Sequence, residues 1–289
     1  MDGFIILDKT SGLFSKSASM RVAKVFGIKK NGHIGTLDPM ASGVLPVAIG
    51  NATKMIPFVE EFCDRTKEYF FDVQFGFETD TLDITGREIA RTDIVPKEEK
   101  VRSVLCEFIG CIIQIPPAYS AVHISGVRAY ELAREGKNPE IPPRSVDVYG
   151  LELIETDGKI WKFRMSCAPG TYVRSMARDI AKACGTVATV TMIRRTKTSG
   201  FTIKNAVTLD FLENLFNNGG DVSKYLMPMD SGLGDIPVLN LDAAACHLYK
   251  NGGFIGGVFN NGMHRIYCGK DFIGIGTVES GLLRPKRTI

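Results

Sequence analysis

Asp38 lies in a segment dense with glycine, Gly32-His33-Ile34-Gly35-Thr36-Leu37-Asp38-Pro39-Met40-Ala41-Ser42-Gly43-Val44-Leu45. Glycines at 32, 35 and 43 permit backbone shapes and close approaches that a Cβ blocks. Pro39 pushes the residue before it out of helical geometry, so Asp38 reads as extended or turning. A carboxylate on such a Gly/Pro-bounded loop is well placed to point into a cleft and to act as nucleophile or base. Taken alone, the pair Asp38-Pro39 is also an ordinary turn. Arg174 is a candidate cation for that carboxylate. It falls in the first turn of an amphipathic segment whose apolar stripe is Val173, Ala177, Ile180 and Cys184. Arg178 follows at i+4, and two like charges at that spacing repel unless an anion sits near one of them. This predicts an Arg174–Asp38 ion pair; two solvated arginines are the plainer reading. Tyr69 belongs to an alternating run with Phe71, Val73 and Phe75, so it is either a core aromatic or a ring offered to a planar ligand.

The elements that must position these groups follow from periodicity. Strands are expected at 4–7, 45–49, 67–77, 146–155, 159–168 and 187–196, with Asp157-Gly158 as a hairpin turn. Helices are expected at 17–26, 52–62, 97–109, 129–135, 172–184 and 209–217. A turn is expected at Ser125-Gly126 and an exposed loop at 139–143. Around 227–237 the texture changes to MPMDSGLGDIP, which reads as a linker. The remainder is Gly-rich, with short strands and no helix pattern after Lys250, as in a small β-rich module. Strands interrupted by helices, including hairpins, predict an α+β fold with a mixed, mainly antiparallel sheet and flanking helices. The expected division is 1–230 and 231–289.

Bulk properties set limits. A chain of 289 residues with 44% hydrophobic and 23% charged residues can bury a real core. Its net charge of +3 is too small to mark a nucleic-acid binder by itself. Local balance says more: residues 140–200 hold ten Lys/Arg against six Asp/Glu, including Arg144, with Lys29, Lys30, Arg284, Lys286 and Arg287 elsewhere. The seven cysteines have no C-x-x-C spacing and the four histidines are scattered, so reduced thiols and no metal site are expected. No signal peptide or membrane-spanning stretch is read, which predicts a cytoplasmic protein.

The Asp38 segment, continued by Pro46 and Gly50-Asn51-Ala52-Thr53-Lys54, resembles the catalytic motif of TruB-type tRNA pseudouridine synthases. Further blocks resemble that family in the same order. They are the opening strand ending in Asp8-Lys9, Lys67-Glu68-Tyr69, Thr79-Asp80-Thr81 with Asp83 and Gly86, and Pro116-Pro117-Ala118-Tyr119-Ser120-Ala121 with Gly126, Arg128, Tyr130 and Arg134. Gly170-Thr171-Tyr172-Val173-Arg174-Ser175 and Arg194-Arg195-Thr196 with Gly200-Phe201 complete the set. Two positions depart from the pattern: Thr10 where proline is usual, and Ile193 where leucine is common. The resemblance implies the pseudouridine synthase fold, Asp38, Tyr69 and Arg174 as catalytic residues, and substrate contacts from His33, Lys9, Tyr172, Ile193, Arg128, Tyr130 and Arg144. It also implies an RNA-binding PUA-like module at 231–289, resembled more weakly. The implied reaction isomerises the T-loop uridine at position 55 of tRNA, with no cofactor and no metal, by a protein expected to be a monomer. The target base must be extruded from the folded loop, at a cost of a few kcal/mol.

Two other readings compete. An RNA chaperone would use the same basic surface without needing Asp38, Tyr69 and Arg174 together. A carboxylate glycosidase needs two acids flanking the bond, with Asp80 or Asp83 as the second.

Overall fold

The computed structural model describes residues 1–124, 126–137 and 140–289. The turn expected at Ser125 and the loop position Pro139 lie outside the described residues. The fold is α+β, with a mixed, mainly antiparallel sheet and flanking helices. The chain divides into two compact units, Met1–Leu37, Val44–Arg65 and Ser199–Ile289 in one, Asp38–Gly43 and Thr66–Thr198 in the other.

In the first unit, strand Gly3–Lys9 lies between Val207–Thr208 and Ser42–Ile49. Asn31–His33 adds antiparallel to the last, His33 opposite Val47. Gly3–Lys9 is buried along nearly its whole length, as a continuous apolar run with both faces covered must be. Phe4, Ile6, Val44, Ala48, Met55, Val59, Phe201 and Leu233 form its core. The C-terminal part is a five-stranded sheet in the order Val238–Leu241, Gly262–Cys268, Asp271–Glu279, Leu282–Thr288, Ile255–Gly256. Its core holds Leu241, Tyr249, Ile266, Ile273, Val278 and Leu283. The β-rich character expected after residue 231 is present, and one helix, Ala243–Lys250, accompanies it. Asp242 caps that helix, accepting from the Ala245 N–H at 2.8 Å. The expectation of seven reduced thiols needs correction here: Cys246 on this helix is disulfide-bonded to Cys268, their Cα atoms 5.9 Å apart.

In the second unit, five strands run antiparallel in the order Ala188–Thr198, Lys67–Phe75, Trp161–Cys167, Arg144–Thr156, Gly110–Gln114. The first two residues of Ser42–Ile49 join it in parallel, Ser42 opposite Arg194 and Gly43 opposite Arg195. Alternation works as expected on Lys67–Phe75: Tyr69, Phe71, Val73 and Phe75 are buried on one face. Phe71 stacks on Phe163 at 5.2 Å and Phe75 meets Trp161 edge-on at 5.3 Å, each pair worth about 0.5–1.5 kcal/mol beyond its burial. Helix Val173–Ala183 buries Val173, Ala177 and Ile180 of the predicted stripe, with Met176, Ala181 and Arg174 beside them, while Cys184 is half-buried just past its end.

Candidate active site

Asp38 starts a tight turn, with the Ala41 N–H donating to its carbonyl at 3.1 Å. Pro39 therefore does what an Asp-Pro pair does in a turn, and the carboxylate is left to other work. That carboxylate meets the Arg174 guanidinium at 2.7 Å, the length of a charge-assisted hydrogen bond. The expected ion pair is present. Its two members are unequally placed: the Asp38 side chain is 40% exposed, that of Arg174 only 4%.

Arg174 is held from several directions at once. It donates to the carbonyls of Thr81 and Tyr119, each at 2.9 Å, and lies 3.5 Å from the carboxylate of Asp83. Asp83 is itself buried and accepts from the Thr81 hydroxyl and the Thr85 N–H, both at 2.9 Å. A buried guanidinium needs such company, because an unpaired charge in the interior is costly. In the sequence Asp83 belongs to one of the family-like blocks and is also a candidate second acid of a glycosidase. Its position behind Arg174 makes it a partner of the cation. Arg178, four residues on, has Asp179 at 2.9 Å and donates to the Ile115 carbonyl at 3.0 Å, while Asp38 is the anion at Arg174.

Tyr69 is 7% exposed. Burial pushes its phenol above the ordinary tyrosine range; the Arg195 guanidinium, hydrogen-bonded to it, works the other way, and Cys167 and Asp38 reinforce the rise. A phenol so placed is neutral at physiological pH and is a poor base. Ile193 is buried on the Ala188–Thr198 strand, and its carbonyl accepts from the Ser42 hydroxyl at 3.3 Å. Arg195 is fully buried on the same strand face. The sequence shows Arg195 only as part of a family-like block and assigns it no role, although a charge on the inward side of an alternating strand was a readable signal.

Tyr172 precedes the Arg174 helix and donates its N–H to the Gln114 side-chain carbonyl at 2.8 Å. Its phenol is pushed up, first by burial, and lies in the fields of Arg144, Asp38 and Arg174. The ring packs against a small cluster of Val122, Ala129 and Ile141. The neighbour of Ala129, Tyr130, carries Arg128 and Arg134 over its ring at 6.0 and 5.3 Å. Arg128 and Tyr130 thus form an exposed cation–π group of their own. Arg144 is exposed at the start of its strand.

Lys9 and His33 belong to the other compact unit. Lys9 is buried and donates to the carbonyls of Thr10 and Leu13, at 3.0 and 2.7 Å. His33 lies 3.1 Å from the Thr36 hydroxyl through Nε2.

Comparison with known proteins identifies the family. Residues 23–173 match the family model of the TruB family pseudouridylate synthase N-terminal domain. The chain belongs to that family. Residues 174–234 match the TruB tRNA pseudouridylate synthase B C-terminal domain, and 237–289 the C-terminal model of pseudouridine synthase II TruB. Among TruB relatives, the tRNA pseudouridine synthase B of Ehrlichia chaffeensis is 44% identical over 242 residues, covering 83% of this chain and 80% of the relative. That of Novosphingobium aromaticivorans is 40% identical over 299 residues, covering 99% and 97%. A chain in a crystal structure of a Cbf5-Nop10-Gar1 complex shares the fold, with a TM-score of 0.72 at 24% identity over 99% of this chain and 84% of that one. TruB pseudouridylate synthases are isomerases. Among the described residues, no helix is long and apolar enough to cross a membrane.

Proposed function

We propose that this TruB-family chain isomerises the T-loop uridine at position 55 of tRNA to pseudouridine, with Asp38 as its catalytic carboxylate. The observation that carries the reading is the Asp38–Arg174 pair, a carboxylate open to solvent on one side and held from behind by a buried guanidinium. The reaction breaks the bond between C1′ and N1 of the uridine, rotates the uracil and joins C1′ to C5. The C5 proton leaves to solvent and N1 gains one, so no redox partner or energy source is consumed. Asp38 acts on the sugar, by attack at C1′ or by taking the C2′ proton. Arg174 holds it in place through a charge-assisted hydrogen bond, at no cost of reorganisation when the bond breaks. Tyr69 and Ile193 receive the two faces of the detached uracil.

On this reading His33, Tyr172, Arg128, Tyr130 and Arg144 contact the T-arm, and the buried Lys9 holds the turn after its strand through the carbonyls of Thr10 and Leu13. Residues 1–230 form the catalytic domain and 231–289 a PUA-like RNA-binding domain. The protein works as a cytoplasmic monomer without cofactor or metal. The names of the relatives support tRNA as substrate. The test is tritium release from a T-arm RNA labelled at C5 of uridine. Wild type is expected to release tritium, and an Asp38→Asn variant to bind the RNA with similar affinity and release none. Full release by Asp38→Asn would remove Asp38 from the chemistry. Binding without release by the wild type would favour an RNA chaperone.

A further inference from the structure

Arg195 stands where three strands meet. Its Cα lies opposite Tyr69 on one side and opposite Gly43, the end of the Asp38 loop, on the other. The approach to Gly43 is close: a Cβ there would come within 2.1 Å of the Arg195 carbonyl oxygen, and Gly43 adopts φ +104°. The loop end therefore lies against the Arg195 backbone. The Arg195 side chain is fully buried and hydrogen-bonds the Tyr69 phenol. A guanidinium has only donors, so in this pair Arg195 donates and the phenol oxygen accepts. The phenol hydrogen is then left over. Packing alone does not call for a charge at this position, because an aliphatic or aromatic side chain fills a strand's inner face at far lower desolvation cost.

We propose that Arg195 is a positioning residue for the isomerisation, which fixes Tyr69 so that its hydroxyl faces the substrate as a hydrogen-bond donor. The inference rests on the isomerase reading of the Asp38 site. Arg195 touches no reacting atom. Its backbone sets the end of the Asp38 loop and its side chain sets the phenol, so one residue registers the carboxylate against the ring. The charged and titratable groups facing the phenol are Arg195, Cys167 and Asp38.

The test is a double-mutant cycle read by single-turnover tritium release between pH 6 and 10, with RNA affinity and circular dichroism alongside. Replacing Arg195 by Met is expected to slow release about 10- to 100-fold while leaving affinity within about twofold. R195K is expected to recover most of the rate. In a Y69F background the Arg195→Met change should alter the rate by less than about twofold. The alkaline limb of the profile should move to higher pH in R195M, because a cation beside the phenol is gone. Equal losses from Arg195→Met with and without the tyrosine hydroxyl overturn the proposal, as does a Y69F enzyme of full rate. So does a folded R195K no faster than R195M. Should R195M not fold, R195Q takes its place in the cycle. If neither neutral variant folds, R195K decides by its alkaline limb alone, a limb displaced from that of wild type supporting the proposal and an unmoved limb overturning it. A wild type that releases no tritium defeats the isomerase reading itself, a result separable from all of these.

Discussion

On the proposed reading Asp38 carries the chemistry, and it is placed to do so by Arg174, which Asp83 holds from behind. The three form a chain from solvent to interior: a half-exposed carboxylate, a buried guanidinium, a buried carboxylate. Removing the charge of Asp83 leaves Arg174 with one anion instead of two, and with freedom to follow Asp38. Asp83→Asn is therefore expected to lower the single-turnover rate about tenfold or more, with T-arm affinity little changed, since the lost interaction is one of buried, hydrogen-bonded charges. A variant as fast as wild type would make Asp83 a loop-stabilising residue only. The sequence pointed to Asp38 and Arg174 but could not reveal Asp83 as their third member. Asp83 lies 91 positions from Arg174, in a Thr/Asp-rich loop whose local pattern fits a solvated turn equally well.

At the scale of elements, what was legible was what obeys a period. The Tyr69 strand alternates because one face is core, and the Arg174 helix repeats at helical spacing because one stripe is core. Strand Gly110–Gln114 obeys no such rule. Only Gln114 is buried in it, and Ile113 is among the exposed large side chains, so its five residues carry no alternation to read. Helix Ala243–Lys250 buries just Cys246 and Tyr249, too few to mark a face, although its run of alanines favours helix and Asp242 opens it. The Cys246–Cys268 pair was invisible for a different reason: the two residues meet only once the helix docks on the C-terminal sheet. Its consequence can be counted. Protein isolated without reductant and then denatured should titrate five thiols, and seven after reduction, the five being Cys63, Cys106, Cys111, Cys167 and Cys184. In the native state Cys106 and Cys111, which are exposed, should react first. Cys63 and Cys167 should react last, since burial pushes each thiol up to about 11. Seven thiols without reductant would dissolve the pairing.

For the whole molecule, the modest net charge of +3 means that affinity for RNA must come from where charges sit and not from how many there are. The exposed Arg144, within the field of Tyr172, and the Arg128–Tyr130–Arg134 group are the places to look. T-arm binding should weaken between 50 and 200 mM salt, and Arg144→Ala should flatten the plot of log affinity against log salt by about 0.7–0.9, the value of one phosphate contact. Asp38→Asn should leave that slope unchanged. An Arg144→Ala slope equal to wild type would place Arg144 outside the RNA contact. The broad class of the fold was readable because hairpins and helices alternate along the chain.

The unequal exposure of Asp38 and Arg174 also decides what an inhibitor can address. A uridine analogue bearing an electrophile at the sugar meets an oxygen of Asp38 that solvent already reaches, and would be captured there as an ester. The guanidinium behind it offers almost no surface. A compound built to exploit the arginine's charge has nothing to touch, so selectivity must be built from the carboxylate outward.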